Sequence, residues 1–295
     1  MKPDDFKEER KLTTNKELYM DCISKSNAFD NTFDSILPQT ALFEIINKHF
    51  AVKTGKAKKA MIFGWDGARA DALTLLDKDS ALLKIKKDGG LYLAFTGGIL
   101  ERKNTIQQTC TAPGWATFLT GQWRDKHKVR GNGGINIRPT FLKTVVKCGY
   151  KVKFNYIWLK HNVTYIIERA FVGKAYNRLH NPEKKGMDYM DARLKEAIVA
   201  DINNNMDLVF GIFEGPDYFG HLHSFGNNCP EYVTSIKTCD TYAKEIMNTI
   251  SSRKNYVNED WLYVIISDHG GIGNNHGSQA IECRTVFIDI NRKLD

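Results

Sequence analysis

Nothing in this chain resembles a cysteine framework. Its 295 residues include six cysteines, at 22, 110, 148, 229, 239 and 283, and no two form a Cys-x-x-Cys pair. That spacing excludes zinc ribbons and dithiol redox motifs, and it leaves reduced thiols of an intracellular protein. Long apolar runs are missing too, so no membrane-spanning helix is expected. The opening MKPDDFKEERKLTTNKEL is too polar for a secretory signal. Repeats, low-complexity tracts and obvious linkers are absent as well. Together these absences predict a cytoplasmic protein with no membrane partner and one main domain.

What is present is a globular composition, with 42% hydrophobic and 26% charged residues in a chain long enough to bury a sizeable core. Forty-two Lys and Arg against 34 Asp and Glu leave a net charge of +8. A phosphate-bearing ligand suits that balance. The surplus falls in scattered runs such as KTGKAKKA and KIKK, which read as solvated surface rather than a nucleic-acid patch.

Apolar stretches of strand length recur with the same ending. KAMIFGWDG stops at Asp66-Gly67, DLVFGIFEGPD at Asp217, and WLYVIISDHGG at Asp268-His269. YKVKFNY and TVFIDI are further strand candidates. Between them lie helical patterns, with Met187, Met190, Leu194 and Ile198 on one face, and Val233, Ile236, Ala243, Met247 and Ile250 on another. Near-continuous apolar strands alternating with amphipathic helices predict an α/β domain with a mostly parallel central sheet flanked by helices on both faces. Residues 59–295 form that domain. Residues 1–58 read as an N-terminal helical extension, clearest in TALFEIINKHF.

In such sheets the loops leaving the carboxyl ends of the strands build the site. Asp66, Asp217 and Asp268 all occupy that position. Cations need carboxylates and imidazoles gathered at one place. His221 follows Asp217 in DYFGH at a spacing that lets both face one point. Asp268 and His269 are adjacent, and His276 follows between glycines in GNNHG. Each motif alone is weak; together they point to a metal centre. The stretch QQTCTAPGWATFLTG, residues 107–121, reads as a helix entered through Pro113, whose N-terminal N–H groups attract anions.

FGWDGARAD, TAPGWATFLTG, EGPDYFGH and SDHGGIGNNHG, in that order over residues 61–277, resemble the alkaline phosphatase superfamily. Within it they resemble the type I phosphodiesterase/nucleotide pyrophosphatase family. The resemblance implies an alkaline phosphatase-like fold and two divalent metal ions, zinc in the first place, with manganese tolerated. It implies one ion held by Asp217, His221 and His276, and another held by Asp66, Asp268 and His269. Thr111 would be the nucleophile and touch the second ion. Asn132, 21 residues beyond Thr111, matches the Asn that holds a non-bridging phosphate oxygen in the diesterases. Monoesterases of the superfamily use an Arg there, and Arg124 and Arg130 are nearby. Cys110 is one position off the nucleophile register, which argues against a sulfatase.

The implied activity is cleavage of phosphodiester or pyrophosphate bonds in a small, nucleotide-like substrate, through a covalent phosphothreonine. Other readings of the same scaffold are a phosphomonoesterase, a phosphonate C–P hydrolase, and a non-catalytic metal-dependent binder of a phospho-ligand. Two departures from the family pattern stand out. His276 comes only seven residues after His269, where larger members carry a substrate-cap insertion, and Gly114-Trp115 replaces a polar pair. Among the remaining residues, Asp240 is expected to be structural, Arg69 and Asp71 to pair locally, and His223 to lie outside the ligand set. Trp65, Trp115, Tyr218 and Phe219 are read chiefly as core, with base stacking as the alternative. Oligomeric state is left open.

Overall fold

The run AKKAMIFGW is buried at every position after its first residue, which only a central strand covered on both faces achieves. The computed structural model describes residues 36–294. Strands β1 (Ile36–Pro38), β2 (Ala57–Trp65), β3 (Gly90–Phe95), β4 (Val152–Tyr156), β5 (Tyr176–Arg178), β6 (Leu208–Phe213), β7 (Glu259–Ile266) and β8 (Thr285–Ile290) form one sheet. Their order is β1-β3-β8-β7-β2-β6-β4-β5. Every pairing is parallel except the two made by β8.

Side-chain alternation sorts the core into two layers. Met61, Phe63 and Trp65 of β2 face helices α2 (Ala81–Asp88), α5 (Met187–Asn203) and α7 (Pro230–Ser251). Ala60 and Ile62 face α1 (Leu42–Ala51), α3 (Thr111–Thr120) and α4 (Phe141–Lys147). The expected α/β fold with helices on both faces is therefore the observed one. On α7 the buried apolar residues are Tyr232, Ile236, Ala243, Ile246 and Ile250. Val233 and Met247, expected on that face, are only partly buried.

Of the stretch expected as an N-terminal extension, residues 36–58 join the same sheet and core. β1 pairs with β3, and α1 buries Leu42, Ile46 and Phe50. Residues 1–35 lie outside the described residues. Four of the five described cysteines are buried, Cys148 is exposed, and all five are free thiols. No helix among the described residues is long and apolar enough to cross a membrane. Asp240 accepts the N–H groups of Ala81 and Leu82 and so caps α2, and Arg69 pairs with Asp71 at 2.6 Å.

One buried carboxyl belongs to none of the loops that carry the site. Asp289 of β8 is fully buried, and neither of its oxygens has a hydrogen-bond partner among the described residues. Burial, with Asp240 nearby, pushes its carboxyl well above the ordinary range. A carboxyl protonated in the native state and ionised in the unfolded state lowers stability as pH rises above its unfolded value. Asp289→Asn should therefore leave stability near pH 4 unchanged. At pH 8 it should raise stability by about 1–3 kcal/mol in urea unfolding. Equal stability of the two proteins at both pH values would contradict this account.

Candidate metal centre

Strands β2, β6 and β7 lie side by side, and their carboxyl ends are level: Trp65 is opposite Phe213, and Gly64 is opposite Ile266. The residues that follow are thus brought to one edge. Asp66 leaves β2 at once. Asp217 lies in the first turn of α6 (Gly215–Leu222), directly after β6, and Asp268-His269 follow β7. Gly67 turns the chain at φ +70, and its Cα hydrogen faces the Asp217 backbone; a Cβ there would come within 2.8 Å of Asp217 Cα. Only glycine lets these two ligand loops approach so closely.

His269 is the hub. Its Nε2 lies 3.4 Å from Asp66 Oδ1, 3.5 Å from Asp268 Oδ2 and 3.9 Å from Asp217 Oδ1. His276 Nε2 lies 3.4 Å from Asp217 Oδ1, and His221 Nε2 3.5 Å from Asp217 Oδ2. Donor atoms of Asp217, His221 and His276 fall within 4.8 Å of one another, as do those of Asp66, Asp217 and His269. Asp217 thus belongs to both clusters. Asp268, expected beside Asp66 and His269, stands against His269 while its Oδ1 accepts the Gly67 N–H at 3.1 Å.

The donor set fits divalent cations. Asp66 Oδ1, Asp217 Oδ1 and Asp268 Oδ2 are buried acceptors without a hydrogen-bond partner among the described residues, a costly arrangement unless a cation takes them. Main-chain carbonyls fix two of the imidazoles. His269 Nδ1 is 2.9 Å from the Gly270 oxygen, and His221 Nδ1 is 2.9 Å from the Asn274 oxygen. Since only an N–H can meet a carbonyl, the neutral form of each ring, the form that binds a metal, turns its Nε2 lone pair toward the carboxylates. His223 stays outside, its ring stacked on Phe219.

The electrostatics follow from crowding. Burial and the Asp66 charge push Asp217 up to about 6 and Asp268 well above the carboxylate range. Burial opposes the charge of Asp66 too, but the adjoining His269 and the Trp115 N–H on its Oδ2 hold its carboxyl below the ordinary value. Burial disfavours the His269 cation, yet Asp268 and Asp66 outweigh it and drive the imidazole up to about 10. N/O donors gathered around excess negative charge are what zinc and manganese accept.

Thr111 opens α3, a helix buried along its whole length, and its Oγ1 lies 3.5 Å from His269 Nε2. Gly114, one turn on, lets this helix close on β7: a Cβ there would come within 2.7 Å of the Asp268 oxygen. Asn132 Oδ1 accepts the Ala112 N–H at 2.9 Å. An N–H must meet the amide oxygen, so the Asn132 NH2 group is turned away from the helix and is free to donate. Arg124 donates to the Asn104 carbonyl instead. Burial, reinforced by the Asp268 charge, pushes the Cys110 thiol up to about 12, so it is no thiolate nucleophile.

Trp65 and Trp115 are completely buried, which removes them as stacking surfaces; of the four aromatics considered, only Tyr218 is exposed. Trp115 has another role. Its Nε1–H donates to Asp66 Oδ2 at 2.9 Å, fixing the carboxylate that points at His269. The only trace of this in the sequence is Gly114-Trp115 replacing a polar pair, because an indole one turn into a helix reaches a strand end only through tertiary packing. Trp115→Phe should keep the fold and weaken zinc binding by about 10–100-fold in a competition titration. Unchanged affinity would show that Asp66 needs no such support.

The family model for type I phosphodiesterase / nucleotide pyrophosphatase matches residues 133–292. No match is found among curated proteins. A Bacteroides thetaiotaomicron structure described as a sulfatase shares the fold at a TM-score of 0.56 and 12% identity, over 80% of this chain and 64% of that one. A 2-O GAG sulfatase gives a TM-score of 0.53 and 13% identity, over 80% of this chain and 64% of that chain. Murine ectonucleotide pyrophosphatase/phosphodiesterase 5, solved with AMP, is 18% identical at a TM-score of 0.49, over 72% of this chain. The present chain spans only 57% of that murine chain.

Proposed function

The chain belongs to the type I phosphodiesterase/nucleotide pyrophosphatase family, and from that premise we propose that it hydrolyses phosphodiester or pyrophosphate bonds of small, nucleotide-like substrates with Thr111 as nucleophile. The observation that carries this reading is the set of three buried, unpartnered carboxylate oxygens facing His269, with the Thr111 hydroxyl 3.5 Å from that ring. Asp217, His221 and His276 would hold one divalent ion. Asp66, Asp268 and His269, with Asp217 between the clusters and Thr111 alongside, would hold the other. Bound there, two such ions supply Lewis-acid chemistry, lowering the pKa of a coordinated hydroxyl and neutralising phosphoryl charge.

The chain's own groups do the rest. Thr111 Oγ1 attacks phosphorus in line; the new Oγ–P bond forms as the bond to the leaving oxygen breaks. The Thr111 hydroxyl proton ends on the departed alkoxide; water then cleaves the phosphothreonine ester, its oxygen going to phosphorus and one of its protons back to Thr111 Oγ1. The free NH2 of Asn132 is placed to donate to a non-bridging oxygen, as are the N–H groups opening α3. Trp115 holds Asp66 in place throughout.

The test compares hydrolysis of bis-p-nitrophenyl phosphate and p-nitrophenyl phosphate, with zinc or manganese and after EDTA treatment. A metal-dependent preference for the diester is expected. Preference for the monoester would replace this reading with a phosphatase. Zinc bound with no turnover of either compound would favour a phosphonate substrate or a binding protein.

A further inference from the structure

The segment from Leu159 to Lys174 is folded inside out. It comprises helices His161–Thr164 and Ile166–Val172, with Tyr165 between them. Its inward face is polar: His161, Thr164 and Tyr165 are fully buried, and Glu168 is 4% exposed. Glu168 is satisfied there by the Thr140 N–H, the Thr140 hydroxyl and the Tyr176 hydroxyl. The outward face is apolar. Leu159, Val163, Ile167 and Phe171 recur every fourth residue and are 55%, 43%, 47% and 71% exposed, with Ile166 beside them at 54%. The loop after Asn132, tied to this helix by the Asn136 N–H on the Thr164 carbonyl, brings Ile135 and Ile137 to the surface at 43% and 51% exposure. Single exposed apolar residues are ordinary, but a contiguous stripe on an inverted helix marks a contact face.

The charge around the stripe says what it contacts. Residues 126–178 contain twelve Lys and Arg and one acidic residue, the buried Glu168. The rest of the chain has 30 basic against 33 acidic residues, so the protein's whole positive surplus lies in this segment. Of the twelve cations, only Lys126 is within salt-bridge distance of a carboxylate among the described residues. Lys143 Nζ lies 4.3 Å from the Phe171 ring centroid, and Lys147 lines the same cleft as Ile167. A second copy of the chain would bring like charges together at this face. A nucleic acid would be met by stacking rings and guanidinium forks, not by aliphatic side chains.

We propose that this stripe docks the protein on an anionic lipid surface, with Leu159, Val163, Ile167 and Phe171 entering the headgroup layer and the surrounding lysines on the lipid charges. Such peripheral contact needs no spanning helix. Trp158, directly before the stripe, packs on Ala112 and Ala116 of α3, so docking would hold the metal centre close to the lipid surface. The proposal is independent of the reaction assigned to that centre.

The test is flotation of the full chain with phosphatidylcholine vesicles, with and without phosphatidylserine, at low and high salt. Binding should require phosphatidylserine and weaken with salt. Ile167→Ser with Phe171→Ser, exposed positions whose circular dichroism should match wild type, should lower it by about tenfold or more. Lys143→Glu with Lys147→Glu should lower it without touching the apolar stripe. No binding to phosphatidylserine vesicles overturns the proposal, as does binding that the serine variant retains. A wild-type dimer in light scattering that the serine variant converts to monomer would assign the stripe to a second copy instead.

Discussion

Thr111→Ala loses at least about a thousandfold in kcat/KM on any diester the wild type turns over, while its zinc content stays the same. The separation of the two effects follows from the geometry. Thr111 contributes one hydroxyl at the edge of the carboxylate-imidazole cluster, 3.5 Å from His269 Nε2, whereas the clusters at Asp217 are complete without it. On the proposed mechanism, removing Oγ1 deletes the attacking atom and leaves the cage. Steady-state kinetics and metal analysis on the same preparation check it. Full activity in Thr111→Ala would make water the nucleophile. Zinc lost along with activity would make Thr111 an essential ligand, and the rate effect alone would then no longer identify the nucleophile.

Asp217→Ala has the second large expected effect, and it distinguishes this residue from the others in the two clusters. Its Oδ1 faces His276 and His269, and its Oδ2 faces His221. One substitution therefore removes a donor from both clusters, while His221→Ala removes a donor from one. Wild type should bind two equivalents of zinc and His221→Ala one weakly held equivalent less. Asp217→Ala should be depleted at both sites, with kcat/KM falling at least about a hundredfold, beyond what loss of an outer partner such as the Trp115 indole costs. Titration with a chromophoric chelator reads the stoichiometry. Identical losses in Asp217→Ala and His221→Ala would confine Asp217 to a single ion.

Much of this architecture is legible in the sequence because burial on both faces leaves a direct mark. β2, β6 and β7 are near-continuous apolar runs that stop at a carboxylate, and in a parallel sheet such endings converge whatever the loops do. The three-residue strands β1 and β5 carry no such mark, and the antiparallel direction of β8 depends on how the chain returns from the site. α1 is legible as the helix in TALFEIINKHF, but its packing on this sheet and the short strand β1 before it are not, because a polar N-terminal stretch reads as an extension. On α7, Tyr232 and Ile246 rather than Val233 and Met247 face the core, since small rotations of a long helix cannot be resolved from periodicity alone.

The site shows the same division. The spacing of Asp217 to His221 and the adjacency of Asp268 and His269 announce a cluster. They do not announce that Asp217 would sit between two sets of donors, because that depends on the close approach allowed at Gly67. Trp115 is in the core, as its type suggests, but nothing in the sequence shows that its indole donates to Asp66. Asn132 is singled out only by the family resemblance; its oxygen on the Ala112 N–H comes from the fold.

The most direct test of the central claim is to quench turnover of a phosphorus-labelled diester with acid and map the label on the protein. A phosphothreonine ester survives acid, and a phosphohistidine does not. Label on the peptide that carries Thr111, absent from Thr111→Ala and from EDTA-treated protein, is the predicted result. Steady turnover with no label on that peptide, under conditions where breakdown of the covalent ester is the slow step, would contradict the covalent threonine mechanism.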